Sequence, residues 1–390
     1  MSFATSEFDE LPDPADGREP PQAFQPPRRV LLGPGPSAVP PSVLEAMGRP
    51  MLGHLDPAFL GLMDEVQAML RAAFRTGNDL TFPVSGSGSA GMECALANVL
   101  EPDDVALVAV SGAFGERMRE IAGRCGARVE TIGGTWGHPV EPEQVEEALR
   151  EHPGAKAVCA VHAETSAGVW QPLEEIGDLC RSYGALFVVD AVASMGGIEL
   201  DVDAWGIDVC YSGTQKCLSV PPGLAPITFS PKGLAAREGR VSGPPSTWYL
   251  DAALIGRYVG RERVYHHTAP VSMLYALHEG LRLVLDEGLE ARWLRHQEVG
   301  GELLHALVER GFQPVAPPGY RLPQLACVWL PEGMDDAPAR RRLLDEYGIE
   351  VGGGLGEFAG RVWRIGVMGA SCTSQNVAQL SHALDQILGT

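Results

Sequence analysis

Ile207-Asp208-Val209-Cys210-Tyr211-Ser212-Gly213-Thr214-Gln215-Lys216-Cys217-Leu218-Ser219-Val220-Pro221-Pro222-Gly223 is the stretch on which the reading of this chain turns. It opens with an apolar run of strand length, 207–211. It passes through small hydroxyl and glycine residues to a lysine, then ends where Pro and Gly fix an irregular backbone. Comparable apolar runs stand upstream at 105–110, 157–161 and 186–189. Amphipathic segments at 115–124, 142–151 and 173–183 lie between them. Runs that are apolar on both faces suit parallel strands covered by helices. The pattern predicts an α/β fold whose ligand sits beyond the C-terminal ends of the strands.

The rest of the chain sets the bounds. Its 390 residues, 45% of them hydrophobic, suit a two-domain globular protein. Residues 1–29, rich in Pro and acidic side chains, read as an extended or disordered arm. Residues 30–285 read as a large domain and 286–390 as a smaller C-terminal one. A long helical linker is expected over 271–310, then strand patterns at 325–330 and 362–366. A net charge of −20 repels nucleic acid and anionic membrane, so an anionic ligand needs a local cationic site. The eight cysteines show no CxxC spacing and read as reduced thiols, with no metal site. No apolar stretch has transmembrane length and no secretory signal is visible, so a cytoplasmic protein is expected.

Lysine is scarce: Lys156, Lys216 and Lys232 stand against 27 arginines. Lys156 and Lys232 read as solvated charges in turns. Lys216, beyond a strand end among hydroxyl residues, is placed to form a Schiff base. The same segment also suits a capping lysine in an ordinary βα loop. Asp190 closes the strand run 186–189 at the same sheet edge. A carboxylate there can hold a proton on a ring nitrogen, and it can equally cap a helix. Ser85-Gly86-Ser87-Gly88-Ser89-Ala90-Gly91 precedes a helical pattern from Met92 to Leu100. Such an entry offers N–H groups and hydroxyls to a phosphate, or is a flexible turn. Arg364, within the run 362–366, suits a bidentate clamp on a substrate carboxylate, or is an edge-strand arginine. A lysine, a ring partner, a phosphate turn and a carboxylate clamp together point to pyridoxal 5′-phosphate.

With these residues the chain resembles the class V aminotransferases of fold type I, and specifically the alanine–glyoxylate (serine–pyruvate) aminotransferase family, over roughly 30–390. The resemblance implies a large domain with a mainly parallel seven-stranded sheet plus a smaller C-terminal α+β domain. Leu32-Gly33-Pro34-Gly35-Pro36-Ser37 resembles the segment bordering the substrate pocket, with Gly35 at the substrate. Ser87-Gly88-Ser89 matches the phosphate turn, with Ser89 where relatives often have His. Phe114 stands where a ring-stacking Trp is usual. In His162-Ala163-Glu164-Thr165-Ser166-Ala167-Gly168, the resemblance gives Thr165 to the 3′-oxygen of the cofactor. It gives Gln215 to the phosphate, Asp190 to the ring nitrogen, Lys216 to the Schiff base and Arg364 to the carboxylate. Tyr265 and Thr268 are implied to reach the phosphate of a partner subunit, hence a homodimer. His266 and His267 are adjacent; in a strand they point to opposite faces, which argues against a metal pair.

The implied activity is transamination of small amino-acid and 2-oxoacid substrates. L-alanine (or L-serine) gives its amino group to glyoxylate, yielding pyruvate (or hydroxypyruvate) and glycine. Alternatives within the family are ureidoglycine–glyoxylate or phosphoserine transfer. A cysteine desulfurase usually has His before the lysine, where this chain has Gln215, and Cys372 reads as structural. A non-catalytic module of this fold would lack the lysine, aspartate or arginine.

Overall fold

The computed structural model describes residues 22–389. Most of the expected N-terminal arm lies outside the described residues. Residues 22–29 are exposed and make no helix or strand.

Seven strands form the main sheet: β1 (Leu80–Ser85), β2 (Val105–Val110), β3 (Arg128–Gly133), β4 (Ala157–Val161), β5 (Leu186–Asp190), β6 (Val209–Tyr211) and β7 (Leu224–Phe229). Their spatial order is β1-β7-β6-β5-β4-β2-β3. All neighbours are parallel except at β7, which runs antiparallel to both β1 and β6. Strands β4, β5, β6 and β7 are buried at every residue, which is why they read as unbroken apolar runs. Helices α1 (Gly88–Val99) and α2 (Ala113–Arg124) follow β1 and β2 directly.

The structure departs from the sequence expectations at several points. The run 207–211 is a strand only from Val209, because the Asp208 carboxylate accepts the Phe187 N–H at 3.0 Å. The glycine–serine stretch is not a free loop before Met92: helix α1 starts at Gly88, so Gly88 and Ser89 form its first turn. The stretch 271–310 is not one helix. It is α3 (Val271–Glu287) and α4 (Leu289–Glu309), broken at Gly288 with φ +83°, a left-handed conformation that suits glycine. Lys232 is exposed, as read, but does not stand in a turn. It sits in the first turn of a helix, Pro231–Glu238, and donates to the Ala185 carbonyl at 2.6 Å.

A second, four-stranded antiparallel sheet packs apart from the first: β8 (Gln313–Pro314), β9 (Leu325–Trp329), β10 (Gly352–Gly353) and β11 (Val362–Gly366), in the order β8-β9-β11-β10. It has its own apolar core, which includes Val328, Leu343, Trp363 and Ile365. Leu32 belongs to that core although it lies far away in sequence. The reason is main-chain pairing: Val30 and Leu31 run parallel to Ile349 and Glu350, and the Gly366 N–H donates to the Leu32 carbonyl at 2.8 Å. The sequence reading placed 30–32 with the large domain, since its pairing partners are some 300 residues distant. We propose Gly288 as the junction between two domains, with 30–32 counted in the second.

Leu32 has no exposed surface. Leu32→Ala should lower stability by about 2–5 kcal/mol, measured by chemical denaturation of the full chain. A change under about 0.5 kcal/mol would show that the segment does not belong to the second core.

Candidate active site

The carboxyl ends of the parallel strands converge on one cleft. Its wall includes Ser87, Gly88 and Ser89 after β1, Phe114 after β2, and Thr165 after β4. Asp190 at the end of β5 and Gln215 and Lys216 after β6 complete it. Eight of the residues singled out in the sequence therefore share one space.

At one end stands the first turn of α1. The N–H groups of Ser87, Gly88 and Ser89 have no acceptor among the described residues, and the Ser87 hydroxyl does not cap the helix. Free N–H groups at a helix start favour an anion. The approach is close by design: a Cβ at Gly88 would lie 2.7 Å from a Val192 methyl. The side-chain oxygen Oε1 of Gln215, an acceptor, is buried without a partner.

At the other end is Asp190. One carboxylate oxygen accepts from the Val192 N–H at 2.8 Å, the other from the Tyr211 hydroxyl at 2.9 Å. Burial pushes its carboxyl up to about 6, against the pull of those two donors. A cation beside it would draw that pKa back down.

Lys216 lines the same cleft. Its ammonium donates to the Pro34 carbonyl. Burial, with the nearby Arg364 cation second, brings its pKa from 10.5 down to about 8. The backbone of 34–37 covers it. Gly35 has φ +106°, and a Cβ there would lie 2.6 Å from the Lys216 side chain. The Ser37 N–H donates to the Gln215 carbonyl at 2.9 Å, and its hydroxyl to the Lys216 carbonyl at 2.7 Å.

Arg364 is buried in β11 and bonded through Nε to the Gly353 carbonyl at 2.8 Å. Its two terminal nitrogens meet no carboxylate among the described residues. Burial lowers its pKa.

Three supporting groups were not assigned roles in the sequence reading. Tyr211 anchors Asp190. Glu164 is buried and accepts from the N–H groups of Phe114 and Gly115, at 3.0 and 3.1 Å, and from Ser166. It thereby fixes the first turn of α2 and the position of Phe114. Burial raises its pKa while those donors pull it back. Arg292, in α4, binds the Gly196 carbonyl at 3.0 Å and the Cys217 carbonyl, beside Lys216. A buried charge inside a quoted motif was the available signal for Glu164; no local pattern marks Arg292.

Tyr265 and Thr268 do not line the cleft of their own chain; Tyr265 is 56% exposed. Their segment is not a strand, which corrects the opposite-face argument for the two histidines. The rings of His266 and His267 meet, with their Nδ1 atoms 2.8 Å apart. Among the described residues there is no group of three or more side chains that could hold a metal.

The main sheet, the small antiparallel sheet and a lysine at the carboxyl edge define a fold type I enzyme that uses pyridoxal phosphate. The chain belongs to the class V aminotransferases, whose family model matches residues 29–361. An alanine–glyoxylate aminotransferase of Oryctolagus cuniculus is 42% identical over 377 residues, which is 95% of this chain and 96% of that protein. The (S)-ureidoglycine–glyoxylate transaminase of Bacillus subtilis is 41% identical over 379 residues, covering 93% and 91%. The crystal structure of an alanine–glyoxylate aminotransferase from Nostoc sp. matches with a TM-score of 0.93 at 47% identity, covering 97% of this chain and all of that one. Within class V, this is the alanine–glyoxylate aminotransferase family.

Pyridoxal phosphate fits the cleft on its chemistry. The α1 turn offers unpartnered N–H groups to a phosphate, the buried carboxyl of Asp190 suits a protonated ring nitrogen, and Lys216 is the amine in the same cleft.

A depressed pKa means that the neutral amine predominates above about pH 8. In the cofactor-free protein, acetylation of Lys216 should rise with a midpoint near pH 8. Peptide mass spectrometry across a pH series reads this directly. A midpoint near 10.5, the ordinary lysine value, would contradict the burial argument.

Proposed function

We propose that the protein transfers the amino group of L-alanine or L-serine to glyoxylate, releasing pyruvate or hydroxypyruvate and glycine. The observation that carries a carboxylate substrate is Arg364: a buried guanidinium with free terminal nitrogens, close enough to Lys216 to depress its pKa. Glyoxylate as acceptor is supported by the relatives, whose names share it. A ureidoglycine donor is the second reading, favoured by the Bacillus subtilis relative at 41% identity.

When bound, pyridoxal phosphate supplies an aldehyde that takes up the amine and a ring that accepts the electrons of the broken Cα–H bond. The chain's residues do the rest. Lys216 would hold the cofactor between turnovers through its Nζ. Arg364 binds the α-carboxylate through its two terminal nitrogens and turns the Cα–H bond toward Lys216. Lys216 Nζ, with its pKa near 8, then takes the proton from Cα as general base. Asp190 holds the proton on the ring nitrogen. Thr165 would donate to the 3′-oxygen, Phe114 would face the ring, and the Ser87–Ser89 turn with Gln215 would hold the phosphate. Gly35 leaves room for the substrate beside the lysine. Tyr265 and Thr268, exposed and remote from their own cleft, reach the phosphate of a second copy in a homodimer.

A cysteine desulfurase is disfavoured. Cys372 is buried, and burial pushes its thiol up to about 11. The desulfurase-like structures match at 16–19% identity and share the fold alone.

Lys216→Ala should lower turnover by about a thousandfold or more, because both the covalent hold and the proton carrier are lost; near wild-type transamination would sink the assignment. Arg364→Ala should raise KM for both amino acid and oxoacid by about tenfold or more, and an unchanged KM for both would refute the clamp. To fix the donor, mix the holoenzyme with alanine, serine, ureidoglycine, glutamate and aspartate separately and follow the bound cofactor's absorbance. Alanine or serine should react fastest; a faster reaction with ureidoglycine selects the second reading.

A further inference from the structure

We propose that Arg117 is a further cofactor-binding residue, which places the positive charge that the phosphate end of the cleft otherwise lacks. The inference rests on the reading above, in which the α1 turn receives the cofactor's phosphate.

A phosphate monoester carries between one and two negative charges near neutral pH. The groups assigned to it within the chain are all neutral: three N–H groups and the amide of Gln215. The start of α1 adds roughly half a charge through its dipole. Around this turn lies a protein of net charge −20, whose field opposes an anion. Among the described residues lining the cleft, the cations are Lys216 and Arg117. Lys216 is committed to the aldehyde end, which leaves Arg117.

Its surroundings suit that task. Arg117 lies on α2 one turn beyond Phe114, so the two side chains share a face of the helix. Its guanidinium carbon is 5.1 Å from the centre of the Phe114 ring. Its Nη1 donates to the Ser89 hydroxyl at 3.4 Å, which brings the charge to the first turn of α1. The acidic neighbours on α2 are engaged elsewhere: Glu116 pairs with Arg119 and Glu120 with Arg124, each at 2.5 Å. No carboxylate among the described residues neutralises Arg117. The long side chain is exposed, so its contacts with Ser89 and Phe114 leave it free to meet a ligand.

The arrangement also couples two recognitions. The guanidinium touches the aromatic ring proposed to stack on the cofactor and the turn proposed to hold its phosphate. A role in charge and a role in supporting the ring predict different losses, and the cofactor offers a natural comparison: pyridoxal, which lacks the phosphate.

The test titrates the cofactor-free full chain with pyridoxal 5′-phosphate and with pyridoxal, reading absorbance and tryptophan quenching. The proteins are wild type, Arg117→Gln and Arg117→Lys. For Arg117→Gln, the dissociation constant for the phosphorylated form should rise about tenfold or more, the loss expected for one charge-assisted contact. That for pyridoxal should change less than about twofold. Arg117→Lys should recover most of the loss, and added salt should weaken the wild type toward Arg117→Gln. Equal weakening of both ligands would overturn the proposal and leave Arg117 as a support for Phe114. An unchanged affinity for the phosphorylated form would also overturn it. If the wild type itself did not prefer the phosphorylated form, the phosphate turn at Ser87–Ser89 would be wrong, and the proposed function's placement of the cofactor would fail with it. Thermal unfolding of each variant, expected to match the wild type at this exposed position, guards against misfolding.

Discussion

The site depends on one strip of backbone, residues 30–37. Its first half is a strand partner for the second core, and its second half is the wall against which Lys216 lies. Main-chain bonds join it to Glu350 and Gly366 on one side and to Gln215 on the other, where the Ser37 hydroxyl also donates to the Lys216 carbonyl. Arg364 is two residues from Gly366, so the carboxylate clamp and the lysine are held in register through this strip. The fit is tight at every step. Gly35 faces the Lys216 side chain, and a Cβ at Gly352 would lie 2.5 Å from the Pro34 ring. Side chains at these points would push the two halves of the site apart. Arg292 reinforces the arrangement from below by binding the carbonyls of the two loops that carry Asp190 and Lys216 onward.

Charge is handled in the same economical way. The molecule is strongly acidic, yet each ionisable group at the cleft is held by specific donors or acceptors. Asp190 has Val192 and Tyr211; Glu164 has two helix N–H groups and Ser166. Burial shifts both carboxyls upward and both Lys216 and Arg364 downward, so Asp190, Lys216 and Arg364 are poised to exchange their environment for a ligand of opposite charge. Glu164 never meets that cleft directly. It spends its charge on the start of α2, which sets the angle of Phe114.

Much of this was legible in the sequence because burial writes itself into composition. Strands covered on both faces appear as apolar runs, and a charged residue at the end of such a run, such as Asp190, stands out, whereas Thr165 was marked only by the family resemblance. The lysine was legible because so few compete with it. What stayed hidden was whatever depends on distant pairing or on local geometry without a compositional mark. The partner of Val30–Leu31 is more than 300 residues away, and nothing in either segment names the other. Gly288 is one glycine among 47, and only its φ of +83° shows that it divides two helices. Lys232 reads as a turn residue until Ser230 is seen to cap its helix. The two histidines at 266 and 267 defeat the strand alternation rule because their segment is irregular. Arg117 is one arginine among 27, and its interest lies wholly in what it touches.

The sheet order carries a consequence for the chain during its own synthesis. Strand β1 bonds to β7 and to no other strand of the sheet, so the edge that leads into the Ser87 turn stays open until residue 229 has been made. Strand β11 arrives later still, and the strip at 30–32 must wait for it. A nascent chain therefore carries an unpaired edge strand until β7 is made, and completes its cofactor cleft almost at the last strand. Such late closure makes long-range pairing the slow step and leaves the unfinished protein dependent on protection from aggregation.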